Sequence, residues 1–489
     1  MPERFILAVD QGTTNTKAIA IDETGSVLAR AARPVAISFP RPAWVEQSPE
    51  AIWDSVRTTV GECLHAVHPR RPEAIGISNQ RETILLWNRA TGEPLGPAVI
   101  WQCRRTSDFC QTLKPQEAPL RQRTGLTVDP LFSASKGRWL WDAARSANPR
   151  LDPEQVCLGT VDSWLIWKLT GGKAHLTDVS NASRTQLLNL ATAEWDPELI
   201  NLFGIPSAIL PRICPSAGVL AETAEDDGVP AGLPIASAIG DSHAALFGQR
   251  VFRPGSVKAT YGTGTSLMTP IERLQISEQG LSTTVAWGLP QVQYALEGNI
   301  SVTGAAVDWF GKFLSASDPA GKVTELAFSG PDTGGVYLVP AFVGLGAPYW
   351  DETARGLISG LTRGTGPGHI ARAVLESIAY QIRAVFDVMQ TESGGALQAL
   401  LADGGAASND RLMQFQADVL GCPVLRNTAS DLSALGAAFL AGLGVGVWSN
   451  LEQVAGLPAN FDRFEPQMTR AEREERYAGW EQAVRRARA

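Results

Sequence analysis

Short apolar runs separated by Gly, Thr and Asn clusters fill the first fifty positions. "FILAVD" (5–10) predicts a buried strand, "QGTTNT" a turn, "KAIAID" (17–22) a second strand, "ETGS" a turn, and "VLARAARPV" (27–35) a third strand. The period then lengthens to that of a helix in "SPEAIWDSVRTTVGECLHAV" (48–67), with Ser48 as N-cap and Pro49 at the first helical position. "EAIGISNQ" (73–80) returns to strand character. An antiparallel opening followed by alternating strands and helices predicts an α/β protein.

The same grammar recurs after residue 255. "GSVKATYGTGTSLMTP" reads strand–turn–strand, again with Gly and Thr at the turn. It is followed by "GGVYLVPAF" (334–342), a helix with a periodic apolar stripe over 369–390, and the strand–turn "ALLADGGAASND" (399–410). Two halves that each begin with a Thr/Gly hairpin suggest an internal duplication. Its boundary falls near 245–255, giving domains 1–248 and 249–489 with a cleft between them, a common location for small-molecule sites.

Composition narrows the class. The 489 residues are 44% hydrophobic and 19% charged, ordinary for a globular protein of several domains. A net charge of −8 argues against a nucleic-acid surface and against general affinity for anionic membranes. Six cysteines without C-x-x-C spacing and five dispersed histidines offer no structural zinc site and fit reduced thiols in a cytoplasmic protein. The longest uncharged apolar run, 433–448, is too short to span a bilayer and reads as a buried helix. The charged C-terminal segment "AEREERYAGWEQAVRRARA" reads as an amphipathic surface helix.

Candidate chemistry concentrates in a few stretches. "AIGDSHAALFG" (238–248) sets Asp241, Ser242 and His243 side by side. Neighbours on a strand or helix do not face each other, and no G-x-S-x-G surrounds Ser242, so a hydrolytic triad is disfavoured. A strand end turning into a helix capped by Asp or Ser, or Asp241 acting alone in a cleft, remains. "DQGTT" (10–14) and "YGTGT" (261–265) are turns whose backbone N–H groups and hydroxyls suit phosphate oxygens, and "LADGGAASN" (401–409) is a third Gly-rich turn. A P-loop motif and an early dinucleotide fingerprint are missing, so a nucleotide held between two similar halves is the reading left.

Together, "DQGTT", "SNQRET" (78–83), "WQCRRT" (101–106), "GTVDSWLIWKLTGG" (159–172), "NASRT" (181–185), "GLGAPYWD" (344–351) and "DGGAASN" (403–409) resemble the FGGY carbohydrate kinase family, nearest its glycerol-phosphorylating branch. The resemblance runs end to end. "GLISGLTRGTGPGHIARAVLE" (356–376) meets the family's C-terminal signature, and "LFSASKGRWLWDA" (131–143) meets the other loosely, departing at Leu131, Gly137 and Ala143. It implies two actin-like (ribonuclease-H-like) ATPase domains closing over an inter-domain cleft, the polyol on the N-terminal half and ATP mainly on the C-terminal half. It further implies Thr13, Thr14, Asn15 and Lys17 at the phosphates with Thr263 opposite, and Gly304, Asp308, Gly405 and Asn409 lining the nucleotide pocket. Asp10 would hold Mg²⁺, and Asp241 would be the general base that deprotonates the acceptor hydroxyl. Arg81, Glu82 and Trp101 match acceptor contacts.

Five of the matched site positions depart from the family pattern. Lys17 stands for arginine and Asp308 for glutamine near the nucleotide, while Leu131, Ser242 and Ser266 stand for a tyrosine, a glutamine and a phenylalanine around the acceptor. Smaller groups there predict a wider pocket. Glycerol is accordingly weighed against a C4–C5 polyol or ketose such as erythritol, xylulose or ribulose, and kinase activity against an actin- or chaperone-like nucleotide-binding role. Homodimeric or homotetrameric assembly stays open.

Overall fold

In the computed structural model, which describes residues 4–226 and 228–489, the opening runs form a three-stranded meander, β1 (Phe5–Gln11), β2 (Asn15–Asp22) and β3 (Val27–Pro34). Every residue from Phe5 to Val9 is buried, and the two-residue period sorts them into two cores. Phe5, Leu7 and Val9 pack with Ile52, Trp53, Val56 and Val60 of helix α1 (Pro49–Val67). Ile6 and Ala8 pack with Ala437, Ala438 and Ala441 on the opposite face. The Ser48 hydroxyl accepts the Ala51 N–H and Pro49 opens α1, as the sequence predicts.

β1 also pairs in parallel with β4 (Ala74–Asn79), which pairs in parallel with β6 (Pro234–Gly240); the antiparallel edge strand β5 (Ala217–Glu222) closes the sheet in the order β5–β6–β4–β1–β2–β3. Glu46–Gln47, Ala98–Val99, Ile84–Asn88 and Val156–Thr160 form a four-stranded sheet, the last three drawn from the chain between β4 and β5. Its strand ends carry the Arg81–Glu82 and Trp101 loops. β6 runs into helix α2 (Asp241–Gly248).

The second sheet repeats the plan. β7 (Ser256–Tyr261), β8 (Thr265–Ile271) and β10 (Gln291–Ile300) form an antiparallel set with β9 (Ser282–Leu289) outside it. On its other edge β7 pairs in parallel with β11 (Ala399–Asp403), then come parallel β12 (Val424–Asn427) and antiparallel β13 (Phe461–Phe464). Both sheets thus have a hairpin strand at their centre, meander strands on one side, and two parallel strands plus an antiparallel edge on the other. "GGVYLVPAF" is a strand only over Tyr337–Val339, and the periodic helix extends over Pro367–Glu392.

The apolar run near 440 forms helix α3 (Leu432–Gly444), which packs on the first sheet and crosses α2. A Cβ on Gly436 would lie 1.8 Å from the Ala244 carbonyl oxygen, and one on Gly248 would lie 2.2 Å from that of Leu432. Only glycines let the two backbones touch. The helix at Arg470–Ala487 has the expected charged face, and its other face buries Tyr477, Trp480, Ala483 and Val484 in the second core. Among the described residues no helix is long and apolar enough to cross a membrane, and all six cysteines are free thiols.

Candidate active site

Sheet geometry alone brings the first acid to the cleft. Asp10 is the penultimate residue of β1, opposite Ser78 of β4 and Lys17 of β2. The Ser78 hydroxyl donates to its carboxylate at 2.8 Å. Burial pushes the Asp10 pKa up to about 6, with Asp241 adding repulsion and Ser78 and Lys17 pulling the other way. Two carboxylates that repel each other at the ends of β1 and β6, the strands flanking β4, are a poor resting arrangement and a good cation site.

Asp241 begins α2 where β6 ends. The expected capping role is not found: the N-cap is Gly240, and no side chain caps that helix. Asp241 Oδ1 instead accepts from the Ser242 N–H at 2.6 Å and from Arg81 Nε at 3.2 Å. Oδ2 receives no hydrogen bond from the described residues. Burial raises the Asp241 pKa; the Arg81 guanidinium opposes that and the Glu82 carboxylate adds to it. About a third of the side chain is still exposed, so the carboxyl reaches open space. His243 does not turn toward Ser242. Its ring is fully buried, held neutral mainly by that burial, with Nε2 3.3 Å from the Thr284 hydroxyl oxygen. The three neighbours form no triad.

Arg81 and Glu82 sit on the link between β4 and strand Ile84–Asn88, with Glu82 in the left-handed region at φ 60°. A non-glycine residue there is held by its surroundings. Its carbonyl accepts from the Ser133 hydroxyl at 3.0 Å, and its carboxylate accepts from Arg184 Nε at 2.7 Å. Behind the link, Asn79 and Asn181 exchange reciprocal amide hydrogen bonds of 3.0 and 2.9 Å, and Asn181 is anchored by Asp178 at 2.8 Å. The "SNQRET" and "NASRT" motifs are therefore one buried unit. Trp101, about a third exposed, donates its indole N–H to the Thr13 hydroxyl at 2.9 Å, tying its loop to the β1–β2 turn. Leu131 is half-buried on a loop fixed by the fully buried Lys136, whose ammonium donates to the carbonyls of Pro130 and Leu131. Burial pulls that lysine down to about 8.

In the second half three glycine turns converge. A Cβ on Gly404, at φ 92°, would meet the Tyr261 carbonyl oxygen at 2.5 Å, and one on Gly304 would meet that of Gly262 at 2.6 Å. Gly405 has open space on its Cβ side, and Thr263 is exposed. Asn409 spends its side-chain oxygen on capping the helix Asp410–Leu420 and donates to the Thr324 hydroxyl at 3.1 Å. Asp308 is exposed on the helix Gly304–Phe313. Thr14 and Asn15 are exposed at the β1–β2 turn. Lys17 is engaged: its ammonium lies 3.2 Å from Asp431, which also pairs with Arg30 at 3.0 Å. Ser266 likewise has a partner, donating to Glu297 at 3.2 Å. Buried carboxylates beside hydroxyl-bearing turns and glycine turns stripped of side chains fit Mg²⁺ and a nucleotide triphosphate.

Several groups at this site carry no motif of their own. Asp431 is reached from 414 residues away along the chain, while Glu297 and Lys258 are buried around the cleft. Their one sequence signal is a single charge inside an apolar strand, as in "YALEGNI".

Residues 5–248 match the N-terminal domain, and residues 257–445 the C-terminal domain, of the FGGY family of carbohydrate kinases. Over 99% of its length the chain is 49% identical to a glycerol kinase of Stenotrophomonas maltophilia, of which it covers 98%. It is 48% identical to glycerol kinase 2 of Thermotoga maritima, with 99% of each chain covered. A crystal structure of Plasmodium falciparum glycerol kinase with ADP superposes with a TM-score of 0.92 at 32% identity, covering 99% of this chain and 98% of that one.

Proposed function

The chain belongs to the FGGY family of carbohydrate kinases, and from that premise we propose that it transfers the γ-phosphoryl group of ATP to a terminal hydroxyl of glycerol, giving sn-glycerol 3-phosphate. The observation that carries the reading is Asp241: a partly exposed carboxylate at a strand end, gripped through Oδ1 and open at Oδ2. Asp241 takes the acceptor's proton as the oxygen attacks, and burial, by raising its proton affinity, makes it a better base than a solvated aspartate. Arg81 donates to acceptor oxygens, Glu82 accepts from an O–H, and Trp101 covers the C–H face. Thr13, Thr14, Asn15 and Lys17 meet the phosphates from the first half and Thr263 from the second. Gly304, Asp308, Gly405 and Asn409 line the nucleotide pocket. Asp10 holds Mg²⁺, which when bound neutralises and orients the phosphate oxygens.

Glycerol is favoured over C4–C5 acceptors because relatives that match over the whole chain bear the name glycerol kinase. Leu131, Ser242 and Ser266 then shape the acceptor pocket with smaller side chains. Six unpaired cysteines support a cytoplasmic setting. A coupled ADP-release assay over glycerol, erythritol, xylulose and ribulose tests the reading. Glycerol should give the highest kcat/KM, and Asp241→Asn should lose at least about a hundredfold in kcat. A ketose preferred tenfold, or undiminished turnover by the variant, would refute it.

A further inference from the structure

Glu297 is the one acid of β10 and shows no exposed surface, yet it belongs to the half opposite Arg81, Glu82 and Asp241. Its Oε1 accepts from Arg81 Nη1 at 2.6 Å and from the Ser266 hydroxyl at 3.2 Å. Its Oε2 lies 2.8 Å from Arg184 Nη1. Arg81 in turn reaches Asp241, and Arg184 reaches Glu82. The result is an alternating row, Asp241–Arg81–Glu297–Arg184–Glu82, whose central member comes from the second sheet and whose four outer members come from the first half.

A structural anion would suffice to neutralise two buried arginines, but this geometry does more. Arg81 is divided between two carboxylates: Nε goes to Asp241 and Nη1 to Glu297. Without Glu297 the full guanidinium charge would fall on Asp241 and Glu82. Lys258 flanks the cluster as a buried ammonium with no hydrogen-bond partner, drawn first by Asp403 and then by Glu297, and neutral His243 lies beside it, so Glu297 is the one carboxylate that pairs with both arginines. Burial alone would raise the Glu297 pKa; Arg184 and then Arg81 outweigh it and keep the group ionised well below the usual range.

We infer that Glu297 is a positioning residue for the acceptor site, set from the nucleotide-side sheet, and that it shares the Arg81 guanidinium with the base while fixing Glu82 through Arg184. Acceptor recognition is then contingent on the two sheets being in register, although no Glu297 atom need touch the acceptor. The inference rests on the proposed kinase reading.

Glu297→Gln keeps the shape and removes the charge. The expected result is a glycerol KM raised about thirtyfold and a kcat lowered about tenfold, with the ATP KM within threefold of wild type. Glu297→Asp should recover part of the glycerol KM. Calorimetric titration of glycerol into enzyme without nucleotide should show the same weakening. If glycerol and ATP KM move together, or if only the folded fraction falls, Glu297 is merely a structural tie and the inference is wrong. Should the glutamine variant not accumulate as folded protein, Arg184→Lys, which keeps the charge but loses the guanidinium fork, should raise the glycerol KM about fivefold with ATP KM unchanged; an unaltered glycerol KM would also overturn the inference. Wild-type turnover separates the two claims. If wild type phosphorylates another polyol, the glycerol reading fails, and the same variant-to-wild-type ratios measured with that polyol still decide the role of Glu297.

Discussion

Asp10 shows how a single residue trades stability for a site. Its pKa of about 6 means that the folded chain holds the proton more tightly than the unfolded chain does. Stability is therefore lost as pH rises from the ordinary aspartate range through about 6, and at neutral pH the loss is on the order of 2–3 kcal/mol. Asp10→Asn should melt higher than wild type near neutral pH, and at about the same temperature near pH 4, while losing nearly all Mg²⁺-dependent turnover. A variant that melts lower at neutral pH would contradict this account. Asp241 carries the same sign into the rate. Burial raises its pKa, so kcat/KM should climb with pH along a limb lying above the usual aspartate range. These residues were legible in sequence through "DQGTT" and the lone acid of "AIGDSHAALFG". Glu297 was not, because a buried glutamate in a strand cannot announce whether its partners lie nearby in sequence or on another sheet.

At the scale of elements, the crossing of α2 and α3 is the tightest joint in the molecule. Ser433 at the start of α3 donates to the Asp241 carbonyl at 3.1 Å, so the joint fixes Asp241 as well as the helices. Gly436→Ala places a methyl group where the Ala244 carbonyl stands. Neither backbone can yield without moving its sheet, and the cost should be about 3 kcal/mol or more. A clear fall in the denaturation midpoint checks this; a shift below about 0.5 kcal/mol would mean that the helices slide apart freely. Strand and helix periods in the sequence foretold the β1–β3 meander, α1, β4, the β7–β8 hairpin, β11, α3 and the two long C-terminal-half helices, whereas β5, β9, β10, β12, β13 and the four-stranded sheet were not read from it. The missing helix cap at Asp241 is a further difference, since the side chain suited to capping is held by Arg81 instead.

For the molecule as a whole, ion pairs between the halves differ by burial in what they do. Asp431 joins Lys17 and Arg30, whose side chains are 40% and 59% exposed. Pairs so open to water contribute little, about 0–1 kcal/mol. Asp431→Asn should therefore leave the melting temperature almost unchanged, and by releasing Lys17 toward the phosphates it should lower the KM for ATP. A KM that rises instead would show that Asp431 orients the lysine rather than restraining it. The duplicated hairpins were visible in sequence as two Thr/Gly turns. The common strand order of the two sheets was not, because pairing between distant strands leaves no local trace.

Sequence by itself determined the opening strands of both halves and the strongly periodic helices, since a two- or 3.6-residue period is a local property. It also marked the glycine turns and the acids at strand ends, where residue type alone limits the chemistry. Only the tertiary structure decided that α3 packs on the first sheet, that Lys17 meets Asp431, and that one glutamate of the second half holds two arginines of the first. Such contacts depend on how whole layers stack, and burial then turns ordinary charges into strong, directional ones.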